Sequence, residues 1–489
     1  MTRAASIWCY LGLSVTSGFA EPLTAGPAEI SEQTIYNRIV LTPFPAQPQP
    51  PNTVPLTAEQ QLGKDIFFDS TLSDPAGYAC ASCHVPQTGF TAPSSAVNIL
   101  AGPVSGVVAG RVGKRKPPTI GYAAFSPEGP EYYPELLEYI GGTFWDGRTP
   151  DTAHQARMPF LDPNEMANAA TGPSPPHPGG FSSLVARKLA NRPYAPLLRN
   201  TLGENVFAAN SDEQLYEIAA SLLAAYEASA EVVPFSSKYD ASEHGTSGAV
   251  GYVLTPSEEH GRVLFFGNAQ CFQCHSSANL PSVLLATQGS ETFTMYCFAN
   301  TGVPRNPSNP YFNETDPYTN PLGFNPLGAA YVDYGLGSNP NPGTDGTVFM
   351  NVSPGDIPAF RGMFKAPSLR NADKRPNPSF VKAYMHNGFF KSLKDVVHFY
   401  NKRNVAVNAA GDQVAFDLRL GPPAGYTRLI DPPAVIENVQ NVAGILPANA
   451  GTDLDHNGQV GNLGLSDQDE DDLVAFISTL SDGFTDPGG

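Results

Sequence analysis

Charge is scarce in this 489-residue chain, and basic charge is scarcest: 28 Lys and Arg stand against 46 Asp and Glu. A net charge of −18 repels a polyphosphate backbone, which excludes nucleic-acid binding as a function class. The same excess can steer a basic protein partner, or simply keep the chain in solution. Cysteine is also sparse, with six residues, too few for a disulfide framework in a chain this long. After the N-terminal stretch no run is apolar enough to cross a bilayer, so no membrane span is expected.

Glycine (46) and proline (48) are what the chain has in quantity, which predicts short helices joined by long irregular segments rather than disorder. The first residues combine Arg3, an apolar stretch from Ile7 to Val15, and small residues Gly18 and Ala20. That order reads as a cleaved secretory signal over residues 1–20, which removes Cys9 and directs the mature protein to the periplasm.

Four of the five remaining cysteines fall in two copies of one pattern: CASCH at Cys80–His84 and CFQCH at Cys271–His275. The fifth, Cys297, reads as a buried inert thiol. The segments before the motifs repeat as well. LTAEQQLGKDIFFD (Leu56 to Asp69) precedes the first and LTPSEEHGRVLFFG (Leu254 to Gly267) the second. Each opens with a threonine N-cap and a capping-box partner, Thr57 with Gln60 and Thr255 with Glu258, and ends in two phenylalanines. Two related halves are therefore expected, each delivering a helix to a Cys-x-x-Cys-His. A disulfide, a redox dithiol or half a zinc site would each use one such motif. Two motifs, each with its histidine and its helix, in an exported chain, favour a different chemistry. The paired thiols add to the vinyl groups of a haem and the adjacent His reaches the iron. Two covalently bound haem c groups are expected, with His84 and His275 as proximal ligands.

Elsewhere, Glu213 to Ala230 has helical periodicity and ends the first half. Thr301 to about Thr347, rich in Asn, Gly and Pro, reads as a surface loop. The basic cluster Gly110 to Pro118 reads as a solvated or propionate-facing loop. Asp453 to Gly461 starts like a calcium loop, but Gly464 stands where its last ligand, a Glu, belongs. SLKDVVHFYN (Ser392 to Asn401) predicts a helix capped by Ser392 and Asp395, with Leu393, Val396, Val397 and Tyr400 on one inward face. Spacing alone makes Tyr400 a core aromatic.

The two motifs, FWDGR (Phe144 to Arg148), FKAPSLRN (Phe364 to Asn371), AYMHNG (Ala383 to Gly388) and the Tyr400 helix occur in the order seen in bacterial di-haem cytochrome c peroxidases. The chain resembles that family and its MauG-like members from about Leu56 to Leu480. The resemblance implies a mainly α fold of two cytochrome-c-like haem domains, residues 21–235 and 236–489, the first peroxidatic and the second for electron transfer. It makes Tyr400 the sixth ligand of the second iron, where many members have Met, with Met385 as the alternative. An anionic phenolate favours ferric or higher states where a thioether favours ferrous. No His lies between His84 and His154, where members usually carry one, so the first iron is expected to be open to peroxide. The resemblance further assigns Glu165 as acid–base, Gln155 as a polar orienter, Trp145 as an electron relay and Arg115 as a propionate support. Asp162, Pro163 and Glu165 alternatively fit an N-cap, a first-turn Pro and a capping-box residue. Lys116 replaces the Asn of the family's interdomain calcium site, and the backbone between Asn371 and His386 is lengthened, which puts calcium in doubt.

The implied activity is reduction of hydrogen peroxide with electrons from a small carrier protein, a c-type cytochrome or a cupredoxin. A MauG-like oxidation of residues on a protein substrate is the second reading. A di-haem electron carrier without catalysis is the third.

Overall fold

The computed structural model describes residues 55–485, apart from 92, 135, 137, 170–179, 244–251, 282–283, 285–290, 339–359, 419, 430–435 and 439–459. The signal segment, His177, His244, His456 and most of the calcium-like loop lie outside the described residues. The longer helices are α1 (Ala58–Phe67), α2 (Thr152–Leu161), α3 (Asp212–Glu227), α4 (Pro256–Phe266), α5 (Leu393–Lys402) and α6 (Asp467–Ser478). Among the described residues, no helix is long and apolar enough to cross a membrane.

The repeated segments form the repeated helices. Thr57 caps α1 and Thr255 caps α4, each in a complete capping box, with Pro256 in the first turn of α4. Each helix then buries its apolar end against the last long helix of its own half: α1 against α3, and α4 against α6. Gly63 and Gly261 sit at the two crossings. A Cβ on Gly63 would lie 2.7 Å from the Leu222 carbonyl carbon and 2.9 Å from Tyr226 Cβ. On Gly261 it would lie 2.5 Å from the Asp472 carbonyl carbon and 2.9 Å from Phe476 Cβ. Both halves thus use a glycine to bring two helix backbones together at the same step of the repeat.

The apolar interior divides accordingly. One cluster runs from Leu62 to Phe235 and includes Ile66, Phe67, Phe160, Tyr216 and Leu223. Another runs from Tyr239 to Leu480 and includes Phe265, Phe266, Phe293, Val397 and Phe476. Each such side chain contributes about 1.5–3 kcal/mol on full burial. Polar side chains tie the halves together. The Tyr122 hydroxyl donates to Asp482, 2.9 Å away, and the Tyr296 hydroxyl to the Tyr122 carbonyl at 3.0 Å. Arg115 reaches across the junction to Asp333.

Sheet content is small: antiparallel pairs 131–133 with 138–140 and 298–299 with 364–365, and a three-stranded sheet with Val405–Asn408 at its centre. Helix α6 was not anticipated, although Leu473, Phe476, Ile477 and Leu480 are spaced as one apolar face and all are buried.

Two expectations are corrected. Of the two readings of the basic cluster, the solvated one fails at Arg115 and Lys116, which are 9% and 7% exposed, Arg115 pairing with Asp146 and Asp333, while Gly113 to Pro118 line the first cavity. The segment from Thr301 to Ser338 is a surface loop only in part: Tyr318 and Leu322 are exposed, but other positions turn inward. It contains only short 3₁₀ turns, yet Asn306, Asn309, Asn320 and Asn325 are buried. Their side-chain amides donate inward, Asn306 to the carbonyls of Ala101 and Asn387, Asn309 to that of Lys114. Asparagine supplies the polar partners that irregular backbone lacks, which lets the segment pack as a wall.

Candidate functional site

The two Cys-x-x-Cys-His motifs fold alike. The His84 amide donates to the Cys80 carbonyl at 2.9 Å and the His275 amide to the Cys271 carbonyl at 3.0 Å. One tight turn therefore sets both sulfurs and the imidazole of each motif. Cys80, Cys83, Cys271 and Cys274 are not in disulfides. Burial pushes the Cys80 and Cys271 thiols up to about 12, and Cys83 moves the same way. A redox dithiol needs the opposite shift. His84 Nδ1 lies 3.0 Å from the Phe90 carbonyl oxygen, and His275 Nδ1 3.1 Å from that of Pro367. A carbonyl only accepts, so the proton sits on Nδ1 and leaves each Nε2 lone pair free. Burial lowers both imidazole pKa values, which keeps the rings in the neutral, ligating form.

A cavity of about 310 Å³ opens over the first motif. That size is within the ~300–1,000 Å³ range of cofactor sites. Its wall includes Cys83, His84, Arg115, Trp145, Gln155 and Glu165, so the side chains assigned to the first site converge on one space. The asparagine-rich wall adds Tyr311 and Phe324. Unbridged thiols, a free imidazole nitrogen and a cavity of this size fit a haem attached through Cys80 and Cys83. At the second motif, Tyr400 packs in the same apolar cluster as Cys271. Its phenol is pushed up to about 12, first by burial and then by the Cys274 sulfur, while Thr301 and Arg403 pull it down. Tyr400 thus lies close enough to both second-motif sulfurs to feel their charge. His398 is engaged elsewhere: its Nδ1 lies 3.0 Å from Glu470 on α6.

Helix α2 ends at Leu161, and Glu165 follows in a turn, its amide donating to the Asp162 carbonyl at 3.0 Å. No helix begins at Pro163, so the capping alternative for Glu165 is not realised. Burial, then the neighbouring Asp162, raises the Glu165 carboxyl to about 8, with Arg148 opposing. Glu165 is therefore largely protonated at neutral pH. Trp145 is 8% exposed; its indole N–H donates to the Lys116 carbonyl at 2.8 Å, and its carbonyl accepts from the Lys365 amide at 2.8 Å. Its ring stands edge-on to His386, centroids 6.5 Å apart.

Glu227, near the C-terminal end of α3, was missed. It lines the same cavity, is 4% exposed, and has one carboxylate oxygen with no hydrogen-bond partner. Burial raises it to about 8. The signal was present: Tyr216, Ala220, Leu223 and Glu227 are spaced as one helix face, and the last of them is charged.

The sequence pattern of the family "Di-haem cytochrome c peroxidase" matches residues 57–247. The methylamine utilization protein MauG of Paracoccus denitrificans is 32% identical over 428 residues, 87% of this chain and 89% of that protein. This chain belongs to the di-haem cytochrome c peroxidase and MauG family. Cytochrome-c peroxidase IdrP1 of Pseudomonas sp. strain SCT is 28% identical over 364 residues, 74% of this chain and 76% of that protein. The diheme peroxidase BthA of Burkholderia thailandensis superposes with a TM-score of 0.61 at 28% identity, covering 90% of this chain and 91% of that one. The di-haem peroxidase family accounts for both histidine-bearing motifs: its cofactors are haems, and the chain is an oxidoreductase of the cytochrome-c peroxidase type.

Proposed function

We propose that this protein reduces hydrogen peroxide in the first cavity, using electrons that enter through the second site. The observation that carries the reading is the position of Glu165, a carboxyl raised to about 8 by desolvation, in the same cavity as His84, Gln155 and Trp145. A haem held by Cys80, Cys83 and His84 would supply redox-active iron there. The remaining work belongs to the chain. Peroxide, two electrons and two protons become two waters, and O–O cleavage requires a proton on the departing oxygen. Glu165 donates that proton and recovers it from solvent. Gln155, an amide that both donates and accepts, orients the peroxide. Trp145 bridges the halves through its hydrogen bonds to Lys116 and Lys365 and relays electrons. Cys271, Cys274, His275 and Tyr400 hold the second haem. Arg115, fixed by Asp146 and Asp333, holds the wall behind the first and supports a propionate there. The electron donor is a small carrier protein, and the chain works in the periplasm.

One observation favours a second reading. A tyrosine beside the sulfurs of the second motif suits an oxidised iron better than a reducible one, as in an oxidase that modifies residues of a partner protein. Substituting Glu165 by Gln keeps the shape and removes the transferable proton. Loss of about 10²–10⁴-fold in the peroxide-consumption rate of the haem-loaded protein is expected, with unchanged ferric spectra. The wild-type rate is expected to fall as pH rises through about 8, as Glu165 loses its proton, while E165Q shows no such limb. A wild-type rate in E165Q removes Glu165 from the mechanism.

A further inference from the structure

The resemblance to the di-haem peroxidases implies a calcium ion between the halves, and the residues there do not suit one. Lys382, 3% exposed, lies in the lengthened segment between Asn371 and His386. Its Nζ donates to three backbone carbonyl oxygens, those of Thr88 at 2.9 Å, Asn371 at 3.0 Å and Lys374 at 3.1 Å. Thr88 follows the first Cys-x-x-Cys-His motif, Asn371 ends FKAPSLRN and Lys374 follows it, so the acceptors come from both halves of the chain. They are held in place independently of the lysine. The Thr88 hydroxyl donates to the carbonyls of Val85 and Thr91, at 2.9 and 3.1 Å. The Asn371 side chain is locked to Asp482, accepting its amide at 2.8 Å and donating to its carboxylate at 2.7 Å.

A second buried lysine is nearby, its amine pulled down to about 7 by burial. Lys116 Nζ donates to the Thr91 hydroxyl at 2.7 Å and the Pro117 carbonyl at 3.2 Å. Its own backbone ties the halves, the amide donating to the His386 carbonyl at 2.8 Å and the carbonyl accepting the Trp145 indole N–H. Among the described residues no carboxylate bonds to either amine, and no cluster of three acidic, His or Cys side chains could hold a metal. A divalent ion here would have to displace the Lys382 amine from the carbonyls, with Lys116 close by and no carboxylate bonded at the cage. Three converging carbonyls are hard-oxygen ligands of the kind calcium takes, and three N–H bonds of one ammonium match them one to one. Burial, with Lys116 nearby, pulls the Lys382 amine below its usual range. The cage opposes this, because only the ammonium form has a third N–H to donate.

We propose that Lys382 is a tethered cation: its ammonium fills a carbonyl cage at the junction of the two halves and does the joining work of a bound metal, so the protein needs no calcium. Removing the side chain would then leave a vacant site for a small cation.

The test uses the haem-loaded protein. Metal analysis after dialysis into calcium-free buffer is expected to find far less than one calcium per chain, and EGTA to leave the melting temperature and ferric EPR spectrum unchanged. Stoichiometric calcium, or a loss on EGTA treatment, overturns the proposal. Lys382→Ala is expected to melt about 4 °C or more below wild type. Propylammonium, the fragment the substitution removes, is expected to raise the melting temperature of Lys382→Ala and not of wild type; calcium chloride is the second probe. Lys382→Met, which fills the space without charge, is expected to be destabilised and not rescued. An Ala variant that melts like wild type, or one rescued by neither cation, refutes the cage. If Lys382→Ala does not fold, the wild-type calcium content and the Met variant still decide.

Discussion

Gly63 and Gly261 allow the repeated architecture to be tested without touching the chemistry. Alanine is the better helix former by about 1 kcal/mol, so on propensity alone Gly63→Ala and Gly261→Ala should stabilise α1 and α4. The geometry predicts the reverse. Carbon atoms rest about 3.5–4.0 Å apart, and the new methyl would lie 2.9 Å from a neighbouring Cβ in each case. The helices must therefore part by roughly 0.6–1.1 Å along that contact. Rotamer changes give no relief, because the other atoms in the way are the backbone carbonyls of Leu222 and Asp472. Overpacking typically costs 1–3 kcal/mol, and a clash with backbone belongs at or above the upper end. Subtracting the propensity gain leaves about 2 kcal/mol of net destabilisation per site. At about 2–4 °C per kcal/mol for a unit of 150–250 residues, each variant should melt about 4–8 °C lower. The two sites occupy separate crossings in separate apolar clusters, so the losses should add in the double variant. Calorimetry of the haem-loaded single and double variants measures both. A variant that melts at or above wild type would show that the crossings can open freely, and the argument from close approach would be wrong.

Two further outcomes are expected. Tyr400→Met should raise the midpoint potential of one of the two haems on the order of 100 mV, within the ~0.8 V span that axial ligands control, by spectroelectrochemistry; an unchanged potential would remove Tyr400 from the iron. Glu227→Gln should stabilise the protein increasingly with pH. The folded carboxyl is raised from 4.5 to about 8, so the native state holds a proton the unfolded chain releases. That contribution is complete below about pH 4.5 and lost as pH rises through about 8, amounting to a few kcal/mol at ~1.4 kcal/mol per unit. Melting curves at pH 5 and pH 9 should show the variant's advantage only at the higher pH, and equal curves at both would show that Glu227 is solvated.

How far the sequence could be read depended on how local each signal is. The caps of α1, α4 and α5 were legible because Thr57, Thr255 and Ser392 each bond a residue three positions on. Helix α3 was also legible, and it ends at Glu227, three residues before the expected end. The two motif turns are equally local. What was not legible depends on partners far along the chain. The burial of Arg115 rests on Asp333, 218 residues away, which no local pattern shows. The asparagine-rich segment looks like a loop until its amides meet the carbonyls of Ala101 and Lys114. The convergence of Gln155, Glu165 and Trp145 on His84 came from family resemblance, since spacing alone offered Glu165 a capping role that the turn after α2 does not use.

The pairing of two similar motifs with dissimilar surroundings is itself a functional argument. Both halves present a neutral imidazole with Nδ1 bonded to a backbone carbonyl, so the proximal sides are alike. The differences lie opposite. The first cavity carries two carboxyls, Glu165 and Glu227, that desolvation raises to about 8, groups able to hold and give up a proton near neutral pH. The second pocket offers Tyr400, with Arg403 fully buried nearby and bonded to the Asn404 side chain at 3.1 Å and the Val460 carbonyl at 2.8 Å. That cation opposes the rise of the Tyr400 phenol without cancelling it, and only the phenolate would ligate a ferric iron. The two surroundings thus differ in kind, with carboxyls of raised pKa at the first motif and a tyrosine at the second. A carrier that only passes electrons requires neither, and this asymmetry supports the catalytic reading proposed above.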